Sequence, residues 1–118
     1  MPHIDKHDQN PDDILESPLL AAINVIGGKW KTIILYRLYD QTLRFGELKK
    51  SIPKITQKML TQQLRELEAD GLVNRVAYNQ IPPKVEYSLT DYARELGPIL
   101  CKLCDWGSRL NQKRDEDN

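Results

Sequence analysis

Pro53 divides two short stretches of helical periodicity, and a proline at that point removes a backbone donor and ends the first stretch. Before it, Phe45, Leu48 and Ile52 recur at helical spacing. After it, Leu60, Leu64 and Leu67 do the same, and Gly71 closes the second stretch. The period then changes. Lys84-Val85-Glu86-Tyr87-Ser88-Leu89 alternates polar and apolar residues, as a half-buried strand does. A helix, a tight proline-bearing turn, a second helix and then a hairpin leave few topologies open.

The flanking segments extend this frame. Residues 1–16 are polar and acidic, with Pro2 and Pro11, and read as a disordered tail. Ser17-Pro18 has the form of a helix cap and first residue, Leu19, Leu20, Ile23 and Ile26 follow, and Gly27-Gly28 stops the helix. A second helix is expected from about Lys29 to Asp40. Its apolar face is Trp30, Ile33, Ile34, Leu35 and Leu38, which makes it the most buried helix. Thr42-Leu43-Arg44 is short enough for a turn or a minimal strand, and Phe45 to Ser51 forms the third helix. Thr56 caps the fourth. Leu72–Tyr78 and Lys84–Leu89 are strands around the loop Asn79–Pro83.

Thr90 caps a last helix, from Asp91 to about Leu110, striped with Tyr92, Leu96, Ile99, Leu100, Leu103, Trp106 and Leu110. Residues 111–118 read as a flexible polar tail. The whole predicts one mainly α domain with a small β-hairpin over residues 17–110, a winged helix-turn-helix.

Net charge is zero over 118 residues, which by itself speaks against an anionic partner. The charge is segregated, however. Residues 29–65 hold Lys29, Lys31, Arg37, Arg44, Lys49, Lys50, Lys54, Lys58 and Arg65 against Asp40 and Glu47, a net of +7. A basic middle in a neutral chain is the footprint of a polyanion. No apolar run is long enough to span a bilayer, and the acidic N-terminus is neither a signal nor a transit peptide. The expected location is the bacterial cytoplasm. No nucleophile elbow or phosphate loop is present: Gly27-Gly28-Lys29-Trp30 lacks the loop's spacing and preceding strand. The expectation is therefore no enzyme, no cofactor and no catalytic residue.

The fourth helix carries the chemistry. On a wheel of 100° per residue, Leu60, Leu64 and Leu67 fall within about 60° of arc. Lys58, Thr61, Gln62 and Arg65 lie opposite, with the small Ala69, and Glu66 and Glu68 flank that side near the C-terminal end. Glutamine can pair with adenine N6/N7, lysine or arginine with guanine O6/N7, and threonine can touch a thymine methyl. The first-turn amides near Thr56 and Gln57 can hold a phosphate. Asn79, Gln80 and Lys84 surround the wing, where Lys84 is the expected phosphate contact. Arg44 and Lys49 are further phosphate candidates, and Lys29 and Lys31 weaker ones that could instead cover the second helix. The bland alternative for the fourth helix is an ordinary solvated face, and for the wing a Pro82-Pro83 pair that only shapes the turn.

Val25-Ile26-Gly27-Gly28-Lys29-Trp30, Arg44-Phe45-Gly46-Glu47-Leu48, the run from Thr56 to Val73, Pro82-Pro83-Lys84-Val85-Glu86-Tyr87-Ser88-Leu89-Thr90 and Cys104-Asp105-Trp106-Gly107 resemble the HxlR family of MarR-like regulators. The resemblance covers about residues 17–110. It implies a dimeric winged-helix repressor or activator of bacterial genes, often tied to aldehyde, quinone or oxidative stress. It implies double-stranded DNA and a second copy of the chain as partners, with Gln57, Lys58, Thr61, Gln62 and Arg65 reading DNA. It also implies a dimer built from the first and last helices, through Leu19, Leu20, Ile23, Leu96, Ile99, Leu100, Leu103, Trp106 and Leu110.

One departure from the family stands out. Many members carry a sensing cysteine in a Cys-Pro pair before the first helix, where this chain has Ser17-Pro18. The two cysteines present, Cys101 and Cys104, are three apart on the last helix, with Cys104 nearer the apolar stripe. They fit small hydrophobes, a redox sensor at the dimer interface, or a metal site. No second pair supports the metal, and His3 and His7 lie in the tail. Two other classes remain open: a winged helix that binds protein instead of DNA, and a ligand-responsive regulator with an effector pocket between core and dimer helices.

Overall fold

In a computed structural model, residues 17–117 are described; the expected N-terminal tail, with His3 and His7, lies outside them. The order is α1 (Pro18–Ile26), α2 (Lys29–Leu38), β1 (Leu43–Arg44), α3 (Phe45–Ser51), α4 (Gln57–Ala69), β2 (Val73–Tyr78), β3 (Lys84–Leu89), α5 (Asp91–Arg94) and α6 (Gly97–Asp117).

Local chemistry sets most boundaries. Ser17 Oγ accepts from Leu20 N at 3.1 Å and Pro18 follows at the first helical position. Thr56 Oγ1 accepts from Met59 N at 3.0 Å and starts α4. At the other end of α4, Gly71 takes φ +76°. Its N–H donates to Glu68 O at 3.0 Å, and Leu72 N–H donates to Leu67 O at 2.9 Å. That pair of bonds is a Schellman closure, which needs a left-handed residue where glycine carries no Cβ penalty.

The core is one cluster. Ile34, Leu35 and Leu38 of α2 meet Leu48 of α3, Leu60, Leu64 and Leu67 of α4, and Tyr87 and Leu89 of β3. Each fully buried aliphatic side chain stabilises the fold by about 1.5–3 kcal/mol. The predicted leucine stripe of α4 is therefore the face that holds this helix to the core. The opposite face is left to solvent.

Four expectations are sharpened or corrected. The minimal segment before α3 is a strand: Leu43 pairs with Tyr87 and Arg44 with Glu86, so the hairpin becomes a three-stranded antiparallel sheet in the order β1-β3-β2. The single last helix is two. It breaks after Arg94 and restarts at Gly97: Pro98 has no N–H to give the Arg94 carbonyl and its ring would clash there, and at Gly97 the chain passes so close to the Tyr39 ring that a Cβ would fall inside it. Pro98, which lacks an N–H, sits in the new first turn, where none is needed. The break displaces the stripe, so Ala93 is buried and Tyr92 exposed.

The third correction concerns the C-terminal tail expected from Asn111, which is helical to Asp117. The fourth concerns Leu100. It is only 3% exposed and belongs to the protomer's own core, with Leu96 packed against it. Leu100 is therefore not free to form a dimer surface, and Leu96 is half-buried.

Candidate nucleic-acid interface

Packing of Leu60, Leu64 and Leu67 turns the other side of α4 outward. Gln57, Lys58, Thr61, Gln62 and Arg65 line one open concavity on that side. Lys58, Gln62 and Arg65 are exposed, and Thr61 is half-buried. Thr56 is exposed and caps the helix. The amides of the first turn have no intrahelical acceptor, which suits a phosphate at that end. Ala69 is exposed and leaves room for close approach.

An acidic residue beside such a face would repel DNA, and Glu66 is engaged by a cation. Lys31 Nζ donates to Glu66 Oε1 at 2.7 Å, across from α2. Hydrogen bonds from Lys31 and from Gln62, together with the Lys31 charge, hold the Glu66 carboxyl below its ordinary range. Lys31 thus works as a neutralising partner inside the protein. Lys29 lies 4.5 Å from the centre of its neighbour Trp30. Lys31 is thereby engaged within the protein, whereas Lys29 is exposed.

Arg44 and Lys49 are exposed at the two ends of α3. Arg44 N donates to Glu47 Oε1 at 2.8 Å, which fixes the start of α3 and leaves the guanidinium outside. Lys54, in the turn between α3 and α4, is exposed with φ +71°. It adds a cation to this side that the sequence reading did not select.

The wing differs from expectation. Asn79 and Gln80 are exposed at its tip, and Lys84 opens β3 directly after the tip loop, opposite Tyr78. Lys84 Nζ is 3.5 Å from Glu86 Oε2 and 4.6 Å from the centre of the Tyr78 ring, and its side chain is 23% exposed. A hydrogen bond to Glu86, and that residue's charge, also raise the Tyr78 phenol above its ordinary value. Lys84 is already neutralised, so it is a weaker phosphate ligand than its position in the sequence promised.

Arg75 takes a place the sequence reading missed. It pairs with Tyr87 in the sheet and shares a concavity with Thr61, Leu64, Arg65, Glu68 and Tyr87. A signal was present: Arg75 has the parity of the buried Val73, so a cation stands at an inward strand position beyond the end of the core. Thr61 and Arg65 border both concavities and join the helix face to the sheet.

Cys101 is half-buried and Cys104 exposed, both as free thiols, which reverses the relation expected from the helical stripe. Cys104 shares an apolar groove with Trp30, Ile33, Tyr36, Ile52 and Leu103. A hydrogen bond between Tyr36 and Cys104 raises the Tyr36 phenol above its ordinary value, and the Cys104 charge and desolvation add to the effect.

Comparisons with known proteins agree with this architecture. Residues 25–115 match the HxlR-like helix-turn-helix family. The HTH-type transcriptional regulator YdeP of Bacillus subtilis is 50% identical over 109 residues, which covers 92% of this chain and 85% of that protein. YtcD of the same organism is 61% identical over 88 residues, covering 75% and 70%. Among solved structures, the redox regulator HypR in its reduced form superposes with a TM-score of 0.78 at 51% identity, covering 86% of this chain and all of that one. A basic outward face on a winged helix-turn-helix and relatives of this closeness lead to one conclusion: the chain belongs to the HxlR-like helix-turn-helix family and is a DNA-binding transcriptional regulator of that type.

Proposed function

We propose that this regulator binds a pseudo-palindromic operator as a homodimer in the cytoplasm, with α4 of each protomer in a major groove. The observation that carries the reading is the face of Gln57, Lys58, Thr61, Gln62 and Arg65, gathered on one helix side, with the adjoining Glu66 engaged by Lys31. Half-sites then lie about one helical turn, 34–36 Å, or a multiple of it apart. Arg44, Lys49 and Arg75 supply backbone contacts around each α4. Dimerisation is supported by the large apolar side chains that α1 and α6 leave in solvent: Leu19, Ile23, Ile99, Leu103 and Trp106.

The test is a gel-shift titration of the chain's own upstream DNA across a salt series. Affinity falls steeply with salt. Lys58→Ala and Arg65→Ala each weaken binding by about 1–3 kcal/mol without unfolding the protein. Binding that is absent, or independent of salt, overturns the reading.

A redox response is the second element of the proposal, supported by likeness to the redox regulator HypR and by the two free thiols on α6. Because Ser17 replaces the usual cysteine, the response falls to Cys101 and Cys104. A thiol oxidant then changes operator affinity in the wild type and not in the Cys101→Ser, Cys104→Ser double variant. Equal behaviour of the two proteins removes this element and leaves DNA binding untouched.

A further inference from the structure

The cations on the outward side of α4 are left over by the rest of the fold. Among the described residues the ion pairs are Lys31 with Glu66 and Lys84 with Glu86. Arg44, Lys49, Lys54, Lys58, Arg65 and Arg75 are all exposed and belong to neither pair. Like charges gathered on one surface repel one another and concentrate anions above them. In the absence of DNA, such a surface favours whatever anionic chain is held nearest.

One such chain is covalently attached. Residues 1–16 hold Asp5, Asp8, Asp12, Asp13 and Glu16 against Lys6, five negative and one positive, a net of −4. The whole chain is neutral, so this segment supplies four of the seven charges that offset the basic block of residues 29–65. Another acidic run, Asp115-Glu116-Asp117, is built into the end of α6. Sixteen extended residues reach about 53 Å, at about 3.3 Å each. The described chain measures 59 × 40 × 26 Å, and the segment joins it at Ser17, the cap of α1. Its reach therefore exceeds two of the three dimensions. Attachment also makes the contact intramolecular, so ion pairs too weak to join two separate molecules are sustained.

We infer that the acidic N-terminal segment, residues 1–16, docks on the outward face of α4 around Lys58 and Arg65, and that operator DNA must displace it. Its carboxylates stand in for DNA phosphates on the same cations. Salt weakens the segment and the DNA alike. Operator affinity therefore varies less with ionic strength than the cations of the face alone would dictate. The displacement step rests on the operator-binding reading above, whereas the docking itself is testable without DNA.

The experiment uses the full chain with five substitutions made together: Asp5→Asn, Asp8→Asn, Asp12→Asn, Asp13→Asn and Glu16→Gln. In the absence of DNA at about 50 mM salt, where screening is weak, amide resonances of Gln57 to Arg65 differ between wild type and this variant. The differences vanish at about 0.5 M salt. With operator at about 50 mM salt, the variant binds about tenfold tighter than wild type, as several exposed ion pairs no longer compete. Its affinity falls with salt on a slope steeper by about one, so the two proteins converge near 0.3 M. In a Lys58→Ala, Arg65→Ala background the same five substitutions change affinity by less than about twofold, because the docking surface is gone.

Identical α4 resonances in wild type and variant overturn the docking, whatever happens with DNA. A tenfold gain that persists in the Lys58→Ala, Arg65→Ala background also overturns it, since the acid then repels DNA without occupying the face. Equal operator affinity of wild type and variant, with both binding, overturns the displacement and leaves operator binding by α4 intact. Differing resonances with no DNA binding by either protein overturn the operator reading and support the docked segment.

Discussion

Lys31 and Glu66 illustrate how a single pair governs a surface. Their contact at 2.7 Å joins residues 35 apart in sequence, and it sets a cation against the carboxylate that adjoins Gln62. The pair is partly open to water, so its direct share of stability is small. Its effect on pH dependence has a definite sign. The folded-state pKa of Glu66 is lowered, chiefly by the Lys31 hydrogen bond, so unfolded chains bind the proton more readily. The contribution is present above the ordinary glutamate range and is lost as pH falls through the lowered value. Urea titrations across acid pH should show wild-type stability falling more steeply in that window than Glu66→Gln does; matching slopes would detach the pair from stability. Lys84 follows the same rule from the other side, since its partners Glu86 and Tyr78 leave less of its charge for DNA.

Among the elements, α4 has the most exacting ends. Thr56 closes its N-terminus and Gly71, at φ +76°, its C-terminus. The Leu72 N–H to Leu67 O bond depends on that left-handed residue. Thr90 then ties the junction to α5: its hydroxyl donates to Gly71 O at 2.8 Å and accepts from Ala93 N at 3.1 Å. Gly71→Ala strains this corner and should cost about 1 kcal/mol or more. In denaturant the midpoint should fall while the slope stays constant. An unchanged midpoint would show that the junction tolerates a Cβ. The wing is built differently. Beyond Val73 every residue of β2 is exposed, so the hairpin is held by its ladder to β3 and by contacts of β3 with α3, including Phe45 and Tyr87 at 6.5 Å. That leaves the tip free of the core and open to a partner.

At the scale of the molecule, the described chain is extended. Its radius of gyration is 17.5 Å, against about 13 Å for a compact domain of 100 residues. Helix α6 accounts for much of this, with 21 residues that run beyond the core. One helix serves two ends: Leu100 is 3% exposed and holds the protomer together, whereas Leu103, one turn on, is 54% exposed. Leu100→Ala should destabilise the fold by about 2–5 kcal/mol. Trp106→Asp should leave the protomer folded and shift it from dimer to monomer in sedimentation velocity, with loss of operator binding. A Trp106→Asp protein that still sediments as a dimer would place the interface elsewhere.

Much of this molecule is written locally. Caps, prolines and hydrophobic period lie within a few residues of the elements they delimit, so the bounds of α1, α3 and β3, the leucine stripe of α4 and its outward polar face were all legible in the sequence. Contacts between distant segments were not. The salt bridge of Lys31 with Glu66, the arrival of Arg75 beside Arg65, and the pairing of Leu43 with Tyr87 depend on how helices and strands pack. The close approach of Tyr39 to Gly97 is of the same kind, whereas the break that leaves Leu100 inward and Tyr92 exposed falls at Pro98, a local signal. Pro53 set the helix-turn-helix by local sterics alone. Which of the surrounding cations remained free to meet DNA was decided by tertiary packing, because a charge is neutralised by what lies next to it in space.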